Sequence, residues 1–208
     1  MEQRMSSSHE EKRDPEATRR RLLEAAVRVF AQKGYYGATV DDIVAECGSS
    51  KGSFYFHFES KEALFLTLVE SFAAMLADEV DRAVRSSPGG GAARIEEAVR
   101  AGLGLFERYP QLARVFLIES AAVNPRFEAK RRQLFDRFVR VIEVYLNEAK
   151  RNHRLAVADT RLAAAGILGA INEVVLQWLS GPRDRPLQQL APEVSGFVLR
   201  AIGWDSGR

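Results

Sequence analysis

The sequence predicts an all-α protein of about nine helices, a small N-terminal unit followed by a larger C-terminal one. Three observations predict it. Apolar residues recur at helical spacing through most of the chain, as in Leu64, Phe65, Leu68, Phe72, Met75, Leu76 and Val80. Breakers such as Gly34, Gly48, Ser86-Ser87-Pro88 and Gly181-Pro182 separate these runs. No segment carries a convincing period-two alternation, so no strand is expected.

Each element has a local cause. Residues 1–15 are polar and of mixed charge and read as a flexible tail. The first helix runs from Pro15, a tolerable helix-start residue, to Gly34, with Leu22, Leu23, Ala26, Val27 and Phe30 on one face. Tyr35-Tyr36-Gly37 bridges to Thr39, which caps a second helix whose apolar face is Val40, Ile43 and Val44. Asp42 completes a Thr-x-x-Asp capping box. Gly48 supplies the left-handed residue that ends this helix, and Ser50 caps the third. Ser60 caps a long fourth helix from Lys61 to near Ser86. A fifth spans Ala92 to Tyr109 and is closed by Pro110, and a sixth runs from Leu112 to Val123. The seventh covers residues 126–151, with Phe127, Leu134, Phe138, Val141, Ile142, Tyr145 and Leu146 inward. Asp159 caps an eighth ending at Ser180, and a ninth covers Pro192 to Ile202. The domains are therefore a tail at 1–15, an N-terminal unit at 16–62 and a C-terminal unit at 63–208.

Composition narrows the class. A hydrophobic fraction of 46% in 208 residues supports a sizeable core and argues against general disorder. The opening residues lack the apolar stretch of a secretory leader, and the one cysteine suits a reducing compartment, so a cytoplasmic location is expected. The most apolar stretch, Leu162 to Leu179, is interrupted by Asn172, Glu173 and Gln177, and reads as a buried helix rather than a membrane span. The net charge is only +2, and residues 1–61 hold ten Lys/Arg against ten Asp/Glu.

Function is therefore sought in placement rather than bulk charge. Two short helices joined by a tight glycine turn form a helix-turn-helix, whose second helix enters the DNA major groove. Phe54 and Phe58, four apart, share a face and anchor that helix to the core. Lys51, Ser53, Tyr55 and His57 lie off that face and are aimed at DNA, with Lys51 as the candidate for a guanine contact. Gly52 lets the DNA backbone approach. Arg19-Arg20-Arg21 and Lys61 add cations at helix starts. A cation at the first residue of the fourth helix opposes its dipole by about 0.3–1 kcal/mol, a conflict that a phosphate bound there removes. Cys47 and His57 are too few ligands for a metal site, and neither metal nor cofactor is expected. No nucleophile elbow, phosphate-binding glycine loop or catalytic histidine context is present, so the chain does not read as an enzyme.

Thr39, Ile43, Cys47-Gly48, Ser50, Gly52, Ser53, Phe54, Tyr55, His57, Phe58 and Ser60-Lys61-Glu62 form a pattern that resembles the TetR/AcrR family of bacterial transcriptional regulators. The resemblance is dense over residues 18–66; beyond 70 it rests on length and helical pattern. Cys47 stands where alanine is usual and Ser49 where an apolar residue is usual. Phe56 stands where tyrosine is frequent, which removes one phosphate-binding hydroxyl. The resemblance implies that Thr39 and Phe56 join the DNA-facing set. It also implies a homodimer through the last two long helices, a palindromic operator, and a ligand core whose occupation shifts a pendulum-like fourth helix.

The eighth helix is apolar nearly all round and crowded with small residues in its first half, so it needs cover on most sides. Phe72, Met75, Phe106, Tyr109, Phe116, Glu119, Phe138, Tyr145, Asn172 and Trp178 are the candidates for a pocket suited to a lipophilic or amphiphilic effector. Asn172-Glu173 inside an isoleucine-rich run before Trp178 is similar to the fatty-acid-degradation regulators of that family, which implies a long-chain acyl-CoA. The expected sign is repression. The alternative is a DNA-binding regulator or architectural protein without an effector.

Overall fold

Nine α-helices and two 3-10 turns make up the described residues, with no strand among them. The computed structural model describes residues 14–121, 125–152 and 155–204, so the expected tail falls outside them except for its last two residues. The helices are α1 Pro15–Gly37, α2 Val40–Cys47, α3 Lys51–His57, α4 Lys61–Ser86 and α5 Gly91–Arg108. They continue as α6 Pro110–Leu117, α7 Pro125–Arg151, α8 Thr160–Ser180 and α9 Ala191–Ala201.

The caps act where the sequence places them. The Thr39 hydroxyl accepts the Asp42 N–H at 3.1 Å, and the Asp42 carboxylate accepts the Thr39 N–H at 3.0 Å. Ser50 and Ser60 accept the N–H groups of Ser53 and Ala63, and Asp159 accepts those of Arg161 and Leu162. Gly48 is left-handed (φ 63°), and the Ser49 N–H returns to the Val44 carbonyl at 2.8 Å. That bond, made by the backbone, closes the turn whatever side chain Ser49 carries.

Both ends of the sixth helix differ from the expectation. Pro110 opens α6 instead of only closing α5, because a proline at the first helical position forfeits an N–H that has no partner there anyway. The helix then ends at Leu117, short of the expected Val123, and a 3-10 turn follows at Glu119–Ala121; residues 122–124 lie outside the described set. A 3-10 turn at Leu187–Leu190 was not expected either.

Aromatic packing joins the two units. Tyr35 and Phe65 lie 4.9 Å apart, and both meet Phe127 of α7, at 5.4 and 5.2 Å. The expected boundary at residues 62/63 falls in the first turn of α4, whose Leu64 and Phe65 sit in the same core as Leu22 and Phe30 of α1. Farther along, Phe72 packs between Phe106 of α5 and Phe116 of α6 at 5.4 and 5.2 Å. Each such ring contributes about 1.5–3 kcal/mol by burial. Helix α4 thus runs from the N-terminal unit into the C-terminal one through a single continuous core.

The eighth helix is covered on one side only within the single chain. In the single chain only Thr160, Ala164, Val175 and Leu179 of α8 are buried. Leu162, Ala165, Gly166, Gly169, Glu173 and Gln177 form an exposed stripe. A Cβ added at Gly166 or Gly169 would meet nothing within 4 Å.

Candidate nucleic-acid interface and ligand cavity

Helix α3 sorts its side chains into rows. Phe54 is fully buried and Phe58 nearly so. Ser53 and His57 are half-buried on one flank, while Lys51 and Tyr55 are exposed on the other. Gly52 and Phe56 form the crest, about 200° from Phe54 at about 100° per residue. Phe56 is 76% exposed and Tyr55 56%. A short rod held by two phenylalanines and presenting an open opposite face is the arrangement that enters a major groove.

The surrounding cations are already engaged within the protein. Lys51 pairs with Asp41 at 2.9 Å, which raises its pKa, so a guanine contact requires it to leave that partner. Arg21 donates to the Cys47 carbonyl at 2.8 Å, and Arg19 lies 5.2 Å over the Phe58 ring. Of the expected arginine triplet, two members thus tie α1 to the helix-turn-helix. Arg28–Glu46 (2.6 Å) and Lys33–Asp42 (2.7 Å) continue the tie. Lys33 first, then the Thr39 hydroxyl and N–H, hold the Asp42 carboxyl down at about 2.

Lys61 corrects an expectation. Its ammonium does not point out to a phosphate: it donates to the Tyr35 and Ala38 carbonyls, each at 2.7 Å, and sits 4.3 Å over the Tyr35 ring. Burial lowers its pKa. The reason is upstream. Gly34 turns left-handed (φ 68°) and breaks α1, so the following backbone groups lose helical partners. Lys61 takes two of the carbonyls, and the Glu119 carboxylate, from the turn after α6, accepts the Tyr35 N–H at 3.2 Å.

Below this joint a cavity of about 1090 Å³ opens between α4, α5, α7 and α8. Its wall is mainly apolar, with Leu76, Val80, Phe106, Phe116, Phe138 and Ile171 among the lining residues. Asn172 and Tyr145 are polar groups inside it, and Asp78, Asp81, Arg94 and Glu148 are its charged ones. Among the described residues no cluster of His, Cys, Asp and Glu is arranged to hold a metal.

Residues 22–68 match the family model described as bacterial regulatory proteins, tetR family, and residues 88–202 match that of the Tetracyclin repressor-like C-terminal domain. The chain belongs to the TetR family. It is 36% identical over 131 residues to the HTH-type transcriptional repressor AcnR of Corynebacterium efficiens, covering 61% of this chain and 64% of AcnR. The first curated relatives are thus matched over less than two thirds of their own length. The fold is shared with the fatty acid degradation regulator FadR of Bacillus halodurans (TM-score 0.83, 23% identity, 90% of this chain and 97% of that one). It is also shared with FadR of Bacillus subtilis solved with stearoyl-CoA (TM-score 0.79, 21% identity, 88% and 98%).

In this TetR-family chain the expected DNA-facing residues separate by environment. Gly52, Tyr55, Phe56 and Lys51 face outward; Ser53 and His57 are partly covered; Thr39 is committed to its cap and Lys61 to the joint. Of the expected ligand residues, Phe106, Phe116, Phe138, Tyr145 and Asn172 line the cavity. The others do not. Phe72 packs behind Phe106 and Phe116, Met75 sits against the core, and Tyr109 ends α5 and is 41% exposed. Glu119 belongs to the joint, and the Trp178 indole donates to the Arg185 carbonyl at 2.9 Å beneath the Arg183 guanidinium. The aliphatic lining of α4 was missed, although Leu76, Val80 and Val84 recur at four-residue spacing, the mark of one helix face.

Proposed function

We propose that this TetR-family chain is a homodimeric repressor released from a palindromic operator in the bacterial cytoplasm by a small lipophilic effector. The cavity carries this reading. About 1090 Å³ of mainly apolar space is a cost that a purely architectural protein has no reason to bear. The α4 wall of that cavity is the same rod whose first turn holds the helix-turn-helix through Lys61, Leu64 and Phe65. A ligand that fits one rod position better than another shifts the recognition helices, and it acts only through that difference in affinity.

Dimerisation is supported by α7 and α8. Val144 and Leu162 are exposed at 64% and 70%, and open glycines at 166 and 169 allow another helix close approach. Glu173 and Gln177 in the α8 stripe suit a protein partner better than lipid, although α8 has a span's length and apolarity. Two recognition helices then reach half-sites about 34 Å apart. The complex of Bacillus subtilis FadR with stearoyl-CoA supports a long-chain acyl-CoA as the effector.

The test is anisotropy of a labelled operator fragment titrated with stearoyl-CoA, stearate and an uncharged monoglyceride. Release by stearoyl-CoA alone supports the acyl-CoA form. Release by either of the others supports a lipophilic effector of another head group. An operator complex and a melting temperature unmoved by all three favour the effector-free alternative.

A further inference from the structure

Phe56 has no explanation in the fold. Its ring is 76% exposed, more than any other large apolar side chain among the described residues, and the nearby aromatic contact is an edge with its neighbour His57 at 4.9 Å. Exposing a phenylalanine on the crest of a recognition helix forgoes its burial. One turn earlier on the same row stands Gly52, which has no side chain to hold the helix away from a surface. The flanks hold the polar groups, Lys51 and Tyr55 on one side, Ser53 and His57 on the other.

We propose that Phe56 is a specificity-determining residue that reads thymine by packing its ring on the 5-methyl group in the major groove. The proposal rests on α3 being the DNA-reading helix. A phenyl ring neither donates nor accepts a hydrogen bond, so it cannot grip phosphate as a tyrosine hydroxyl does. Among the base edges of the major groove, the thymine methyl is the apolar one. The ring at the crest reaches deepest, while Tyr55, Ser53 and His57 on the flanks, joined by Lys51 once it leaves Asp41, serve phosphate and the edges of neighbouring bases.

The probe is a duplex that the full-length protein selects from a random pool, with each symmetry-related pair of thymines replaced in turn by deoxyuridine. Uracil keeps every hydrogen-bonding group of thymine and loses only the methyl. Burial of one methyl is worth about fourfold in affinity, or about fifteenfold for both half-sites. The wild type is expected to lose affinity on this scale at one symmetric pair, Phe56→Ala to bind the thymine and uracil duplexes alike, and Phe56→Leu to retain part of the discrimination. The exposure of Phe56 leaves the fold of these variants intact, which circular dichroism checks. Equal binding of every uracil duplex by the wild type, or undiminished discrimination by Phe56→Ala, overturns the proposal while leaving DNA binding in place. A protein that selects no duplex overturns both readings together.

Discussion

Glu119→Ala tests whether the ligand unit holds the corner of the helix-turn-helix. The Glu119 carboxylate accepts the Tyr35 N–H at 3.2 Å, and Tyr35 is 9% exposed. A hydrogen bond to a charged acceptor is worth about 1.5–3 kcal/mol when buried; at this length and partial burial about 1–2 kcal/mol is expected. Loss of that much from the corner speeds local opening about five- to thirtyfold, measurable as faster hydrogen exchange of the Tyr35 amide. Glu119→Gln keeps a carbonyl oxygen for the same N–H and is expected to restore most of the protection. Operator affinity is expected to follow the same order, wild type above Gln above Ala, since Thr39, the cap of α2, lies four residues beyond Tyr35. An Ala variant whose Tyr35 amide exchanges at the wild-type rate refutes the joint. So does a Gln variant no better than Ala.

Lys61→Met is expected to cost about 2–3 kcal/mol, because it orphans two half-buried carbonyls, and to lower Tm by about 5–10 °C. It is also expected to leave the salt dependence of operator binding unchanged, whereas loss of a phosphate contact lowers the slope by about one. Asp42 has a folded pKa of about 2 against an ordinary 3.8, so its contribution is complete above about pH 4 and is lost as the pH falls through about 2. Acid unfolding followed by circular dichroism is therefore expected to steepen in that window, and Asp42→Asn to flatten it. Gly169→Phe fills open space in the single chain but blocks a second helix, so sedimentation is expected to show monomer with normal helix content. A persistent dimer would place the interface elsewhere.

The local structure was legible because its causes are local. Thr39, Ser50, Ser60 and Asp159 cap helices through oxygens two or three residues from the N–H groups they serve. The left-handed Gly48 and the buried pair Phe54 and Phe58 follow from the same short-range geometry. Those features suffice for the helix-turn-helix and the all-α class. Side-chain destinations were less legible. Lys61 and Glu119 are 26 and 84 residues from Tyr35 in the chain, and nothing in their own neighbourhoods marks the backbone groups they serve.

What the sequence by itself determined was helix identity, cap chemistry and the outward face of α3, all set within a turn or two of the chain. What only the tertiary structure decided was which polar groups find which orphaned backbone atoms, and where packing stops. Gly34 breaks α1, and only the fold brings Lys61 and Glu119 to the break. Only the fold, likewise, leaves empty volume between α4, α5, α7 and α8, and that volume separates Phe106 at the cavity wall from Phe72 behind it. The physical reason is that hydrophobicity says a side chain will be buried, while its partner across the core depends on how rigid helices cross in space.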